Sequence, residues 1–365
     1  PDGEDLIMEQ TLRTGNVTAP IISPVTIWRK RLFGTVRDSV LTLILIAMII
    51  AFGRVAVDWL FLEAVTPWGD QAACAEATGA CWPFLVEKHR LILFGTYPWE
   101  HQWRPLIASL LLIAGVVVSM VPRWQDRRLA WLWICLAVGF TVLMRGGVPG
   151  LEYIQPERWN GLPVLLMLAI FGLVFAFPLG VALALARHQD QLPAIRAIAV
   201  LWIELVRGVP MIMVLFLGLF VLPLMMPDDI TLNPLITTMI ALVIFHSAYF
   251  AESVRGGLQT VPIGQYEAAD SQGLAWLQKT RLVILPQALK IAMPGILNTV
   301  LGAYKDTSLV VIIGIHDIMA TAKMSFSDPV WQRYGLEAYL FVGAWFLATC
   351  WCLSSYSRWL ERRTS

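Results

Sequence analysis

The sequence predicts an all-α membrane protein with about eight transmembrane helices, and three observations predict it. Only 15% of the residues are charged and 57% are hydrophobic, whereas an ordinary soluble domain is roughly 25% charged. Too few charges are present to dress a water-facing surface. Apolar runs recur at the ~20-residue length that a ~30 Å hydrocarbon core demands. Sixteen tryptophans suit the headgroup layer, where an indole keeps one edge wet.

Taken in order, residues 1–38 read as a polar tail ending in the basic string Trp28-Arg29-Lys30-Arg31. The tail lacks the charged start, short apolar core and cleavage site of a secretory signal. The first span is expected from Ser39 to Leu62, with Arg54 and Asp58 towards its far end. A long loop rich in Trp and Pro follows, from Glu63 to Arg104, and holds Cys74 and Cys81. A disulfide between them and two free thiols are both open readings. Cys135, Cys350 and Cys352 lie in apolar runs and read as inert core residues. Further spans are expected at Pro105–Val121, Leu129–Met144, Leu162–Ala186, Val209–Met226 and Leu235–Val254. A seventh begins near Pro286, and an eighth covers Leu336–Tyr356.

The chain therefore divides into a tail (1–38), a three-helix extension with an external loop (39–150), a five-span domain (159–358) and a short C-terminal tail (359–365). Within the five-span domain, residues 257–286 form a long loop. Lys and Arg placement sets the orientation. Basic clusters at Trp28–Arg31, Arg123–Arg128, Arg187–Arg196, Arg255–Lys290 and Arg358–Arg363 all fall on one side if both termini are cytoplasmic. The opposite loops carry Asp70, Glu76, Asp228, Asp229 and Asp328, with Arg145, Arg158, Lys323 and Arg333 as isolated single charges. Lys88, His89, Arg90 and Arg104 in the first external loop are the exception.

The loop from Gly257 to Pro286 is not a spacer. Glu267, Ala268 and Ala269 favour a short helix over Gln265–Ser271, and Gly273 permits a sharp reversal. A second helical stretch, Leu274–Leu285, carries apolar residues at 274, 277, 282 and 285 before Pro286 ends it or opens the next span. The apolar ridge must be covered, either under the protein's own helices or by a soluble partner.

Glu267-Ala268-Ala269, Gly273, Val283 and Leu285-Pro286, at their spacing, resemble the EAA loop of binding-protein-dependent ABC importer permeases. Val283 stands where that pattern usually has Ile. The resemblance implies that the five C-terminal spans form a type I ABC importer permease core. It further implies a coupling surface for the ATPase at Glu267, Ala268, Ala269, Gly273, Leu274, Leu277, Leu285 and Pro286. The strings Glu204–Pro210, Tyr249–Gly257, Gly264–Glu267 and Lys305–Leu309 are similar to permeases for histidine, glutamine and general polar L-amino acids. The three extra N-terminal spans look like those of the longer permease in general L-amino-acid systems. A bacterial inner membrane location follows from this likeness, as does alternating access driven by ATP. The implied partners are two copies of an ATP-binding subunit, a second homologous permease in a heterodimer, a periplasmic amino-acid-binding protein and the lipid bilayer. No nucleic-acid partner is expected. ATP and Mg belong to the partner ATPase, and no cofactor is expected in this chain.

Polar residues within the spans are costly, about 2.5–3.5 kcal/mol for a charge at mid-helix, so each needs a reason. Glu252 and Arg255 lie one turn apart and read as a structural ion pair or as part of a gate on the cytoplasmic side. Lys305, Asp306, Thr307 and Ser308 interrupt a segment nearly twice one span long. They mark either a broken helix on the translocation path or the point where the helix surfaces and a short helix turns back. His246 reads as a packing histidine or a proton relay. Arg207-Gly208 with Pro210 marks a helix start or kink, or a snorkelling arginine. No Walker loop, zinc-ligand spacing or Gly-x-Ser-x-Gly elbow is found, so the chain is expected to transport and not to catalyse. An ion-gradient carrier or channel acting alone is the alternative, and it gives no reason for the Glu267 loop.

Overall fold

The structure, a computed structural model, describes residues 32–124, 127–189, 191–227 and 232–364. The Trp28–Arg31 string and the rest of residues 1–31 lie outside the described residues, as do Asp228 and Asp229. Among the described residues the regular structure is helical. The contacts divide the chain into two units, one reaching Val65 and including Ala72–Ala80, the other formed by Thr66–Gln71 and Cys81–Ser365.

In the first unit, α1 (Val36–Val57) begins at Thr35, whose hydroxyl accepts from the Asp38 N–H at 3.1 Å. It continues through a wider turn over Asp58–Leu62 and has no buried residue. Arg54 and Asp58, a helical turn apart, sit 3.9 Å from each other. Beyond α2 (Gln71–Glu76), the chain returns to the end of α1, where the Ala80 N–H donates to the Trp59 carbonyl. Cys74 and Cys81 are both disulfide-bonded. Cys135 and Cys352 are free and exposed, and Cys350 is free and half-buried. Their expected place in a core is thus corrected: a bilayer leaves apolar side chains outward at no cost.

The second unit contains α3 (Trp82–Phe94), α4 (Trp103–Ser119), α5 (Arg127–Arg145), α6 (Leu162–His188) and α7 (Pro193–Gly208). It continues with α8 (Met211–Leu224), α9 (Pro234–Thr260), α10 (Ile263–Ser271), α11 (Trp276–Lys279) and α12 (Leu285–Asp306). The last helices are α13 (Ile318–Ser325) and α14 (Gly335–Thr364). Helix α9 is central. Its Phe250, Ala251, Val254 and Leu258 pack with Ala176 and Ala184 of α6, Ile203 of α7, and Ala288, Ala292 and Ile296 of α12. Small residues let these backbones approach. A Cβ on Gly257 would stand 2.2 Å from the Ala288 carbonyl oxygen, so no side chain fits there.

Among the described residues seven helices are long and apolar enough to cross a membrane, or eight when the bent pair α7–α8 is taken as one span. Here the structure corrects the fifth span. The basic string after α6 opens a separate helix, α7, which meets α8 at 105°. Pro210 carries no N–H and forces its predecessor out of the helical region; Val209 is extended at φ −104°, ψ 134°. The bend follows directly.

The seventh span also differs from a broken helix. Helix α12 runs through Lys305 and Asp306, tightens into a 3₁₀ turn over Thr307–Ile313, and stops at Gly314 with φ +83°. The short helix α13 follows, capped by buried Asp317, whose Oδ1 accepts from the Ala320 N–H at 3.0 Å. The Thr321 hydroxyl donates to the Ile92 carbonyl at 2.6 Å, tying α13 to α3. The exceptional basic residues of the loop from Glu63 to Arg104 are engaged as well. Lys88 reaches Asp328 at 3.3 Å, Arg90 lies 3.4 Å over the Trp99 ring, and buried Arg104 donates to the Glu152 carbonyl at 2.9 Å. These contacts give the positive charges of that loop their partners.

Candidate functional site

Three features gather along α9, at one end of which lies the Gly257–Pro286 loop. Within it, α10 carries Glu267 and Ala268 exposed and Ala269 buried. Gly273 adopts φ +68° and its N–H donates to the Asp270 carbonyl at 2.9 Å, which turns the chain into α11. The second helical stretch is α11 plus a π-turn, Thr280–Ile284, leading into α12. Side-chain bonds hold the loop rigid. Lys279 reaches Asp270 at 2.6 Å, Gln287 donates to Gln265 at 3.0 Å, and the Tyr266 hydroxyl lies 3.3 Å from His188 Nε2 and from the Leu258 carbonyl. Burial raises the Tyr266 pKa above the usual phenol value. The apolar ridge is not covered by the protein's own helices: Leu277 is 67% and Leu282 66% exposed, while Leu274 and Leu285 are half-buried and Pro286 is exposed.

Next to the loop end, five charges converge from three helices. The Glu252 carboxylate of α9 accepts from Arg255, with its Nε at 3.0 Å, and lies 3.4 Å from Arg207 of α7 and 3.6 Å from Arg187 of α6. Arg187 also donates to Glu204 at 2.9 Å. One glutamate thus holds three guanidinium groups, each partly screened from water. Breaking such a network leaves like charges facing each other in a low dielectric.

The cluster borders a cavity of about 480 Å³ lined by Met211, Phe245, His246, Tyr249, Asn298, Thr299, Gly302, Ala303 and Asp306. Arg207 stands 5.7 Å over the Tyr249 ring and so joins the cluster to the cavity. His246 is buried and its Nε2 has no hydrogen-bond partner among the described residues. A carboxylate, an imidazole, an amide and two hydroxyls on otherwise apolar helices suit a small polar solute, and the volume lies in the range of small-molecule sites.

Of the sequence candidates, Glu252 and Arg255 come together, and Asp306 reaches the cavity. Thr307 is buried and donates to the Tyr304 carbonyl at 2.7 Å. Lys305 and Ser308 line a different crevice, against α14. Sequence reasoning missed Tyr249, Asn298 and Thr299 as cavity residues, and Arg187 and Glu204 as members of the cluster. Asn298, Gly302 and Asp306 recur every four residues, and that stripe was the signal.

A family model described as the binding-protein-dependent transport system inner membrane component matches residues 176–365. The inner membrane amino-acid ABC transporter permease protein YhdY of Escherichia coli K12 is 38% identical over 345 residues, covering 93% of each chain. The glutamate/glutamine/aspartate/asparagine transport system permease protein BztC of Rhodobacter capsulatus is 30% identical, covering 86% of this chain and 89% of its own. A solved amino acid ABC transporter with histidines is 28% identical over 56% of this chain and 92% of its own, with a TM-score of 0.49. With its C-terminal half matched and nearly its whole length aligned to such permeases, the chain belongs to the inner membrane components of binding-protein-dependent transport systems.

Proposed function

We propose that this permease carries a polar L-amino acid inward across a bacterial inner membrane, driven by ATP hydrolysis in a partner subunit. The observation that carries the reading is the exposed, rigidly held ridge of Leu277 and Leu282 beside Glu267, a surface built to be covered by another protein. The polar cavity at Asp306 and His246 gives the cargo a resting place, and the names of the relatives support an amino acid as that cargo.

In this reading the loop and both termini lie in the cytosol, which the distribution of the basic clusters supports. Glu267, Ala268, Ala269, Gly273, Leu274, Leu277, Leu285 and Pro286 form the docking surface for one of two ATP-binding subunits, which hold ATP and Mg. A second homologous permease completes a heterodimer, and a periplasmic binding protein delivers the cargo. When the ATPases close, the loop pulls on α9 and α12, and the Glu252 cluster parts or reseals beneath the cavity. Glu252, Arg255 and Asp306 act along that path.

The test is Glu267→Lys in proteoliposomes with the ATPase and binding protein present. Insertion should be unchanged, while transport falls at least tenfold, since a charge reversal at a desolvated contact costs a few kcal/mol. Normal transport would overturn the coupling role. An ion-gradient carrier gives no account of the uncovered ridge; uptake that collapses with a protonophore yet ignores ATP depletion would favour it.

A further inference from the structure

Lys305 and Ser308 take no part in the cargo cavity. Both line a crevice of about 330 Å³ with Met319 of α13 and Phe346, Leu347 and Cys350 of α14. The crevice is held open by fixed walls. Tyr304, one residue before Lys305, is buried, packs its ring at a tilt against Phe346 with centroids 5.3 Å apart, and its hydroxyl accepts from Trp345 Nε1 and from Thr349 at 3.0 Å each. The crevice opens on an apolar surface, where its lining residue Leu347 is 72% exposed.

The position of Lys305 along the helix matters. Lys290 and Lys305 are both exposed on α12 and stand ~22 Å apart along its axis at ~1.5 Å per residue. Their flexible stems extend that span towards the two headgroup layers of a ~30 Å core. Lys305 therefore sits at the boundary farther from the Glu267 loop. Among the described residues no carboxylate lies within 4.0 Å of its amine. An unpaired ammonium at that depth, above an apolar slot, is complementary to a phosphate carrying an acyl chain; the Ser308 hydroxyl beside it donates to the Lys305 carbonyl at 2.8 Å.

We propose that this crevice binds an anionic phospholipid, with the phosphate on the Lys305 ammonium and one acyl chain against Phe346, Leu347 and Met319. The site is independent of the ATPase loop and of the cargo cavity, so its failure would leave the transport reading intact.

The test uses the full chain in nanodiscs, exchanged against vesicles of phosphatidylglycerol or phosphatidylcholine, with retained lipid counted by native mass spectrometry. The native protein should keep one phosphatidylglycerol in preference to phosphatidylcholine. Lys305→Gln should weaken retention about fivefold, as expected for one basic residue at a membrane surface, and Lys305→Arg should restore it. Cys350→Phe, which fills the slot, should remove the lipid with Lys305 in place, whereas Lys290→Gln should change nothing at this site. Equal retention by the native protein and Lys305→Gln would overturn the proposal. So would full competition by millimolar inorganic phosphate, or cross-linking of Cys350 to a second permease in the slot.

Discussion

Arg207 stands over the ring of Tyr249 at 5.7 Å and reaches the Glu252 carboxylate at 3.4 Å, so one guanidinium touches both the cavity wall and the charge cluster. Removing the shared acceptor should be felt in both places. Glu252→Gln leaves Arg187, Arg207 and Arg255 facing one another without their common counter-ion. The group is about a quarter exposed, so the full buried-pair cost is discounted to about 1–3 kcal/mol. A lower melting temperature together with substrate leak through unenergised proteoliposomes is expected. A variant as stable and as tight as the native protein would show that the cluster seals nothing.

Asp306 contributes the sole carboxylate among the residues lining the cavity. Asp306→Asn keeps the shape and one acceptor while deleting the charge. The half-saturating cargo concentration should rise about 10- to 30-fold, which corresponds to a charge-assisted hydrogen bond of ~1.5–2 kcal/mol, with basal ATPase activity unchanged. A drop in the maximal rate alone would place Asp306 in the conformational cycle instead.

Gly257 tests the packing of α9 on α12. Gly257→Val would drive a branched side chain into the Ala288 carbonyl oxygen, and over-packing of this kind costs about 1–3 kcal/mol. A clear loss of thermal stability in detergent is expected. Gly256→Val, at a glycine whose Cβ would meet nothing within 4 Å, is the control and should be mild by comparison.

Asp317 lies between α12 and α14, outside the spanning segments, and burial pushes its pKa from 3.8 to about 7. The unfolded carboxyl keeps a value near 3.9. Between about pH 4 and 7 the folded state therefore binds the extra proton. Stability falls as the pH rises through that window and is level above it. Asp317→Asn retains the helix cap and should flatten this dependence, gaining melting temperature at pH 8 and little at pH 4. Parallel profiles for the two proteins would refute it.

The spans were legible because length and apolarity alone set them, and the Gly273 reversal because only glycine adopts its backbone angle cheaply. Helix α7 was not. Arg187 to Arg196 reads as a polar connection until Ile203 and Val206 are seen buried against its neighbours. The four residues Lys305–Ser308 form one polar string in the sequence, yet neighbours on a helix point ~100° apart and cannot share a face. Asp306 therefore meets the cavity while Lys305 turns to the crevice. Asn298 and Thr299 escaped notice because uncharged polar residues scarcely lower the hydropathy of a span. Whether an isolated imidazole such as His246 finds a partner depends on helix rotation, which sequence spacing does not report.

The bend at Val209–Pro210 has a mechanical corollary. Arg207 sits just before it and Met211 just after it, one in the charge cluster around Glu252 and the other in the wall of the cavity. Two rods joined at 105° cannot spin about a common line. Twisting the first would swing the second sideways, as a crank converts rotation into a stroke, so a small torque on α7 would reach the cavity as displacement of its wall.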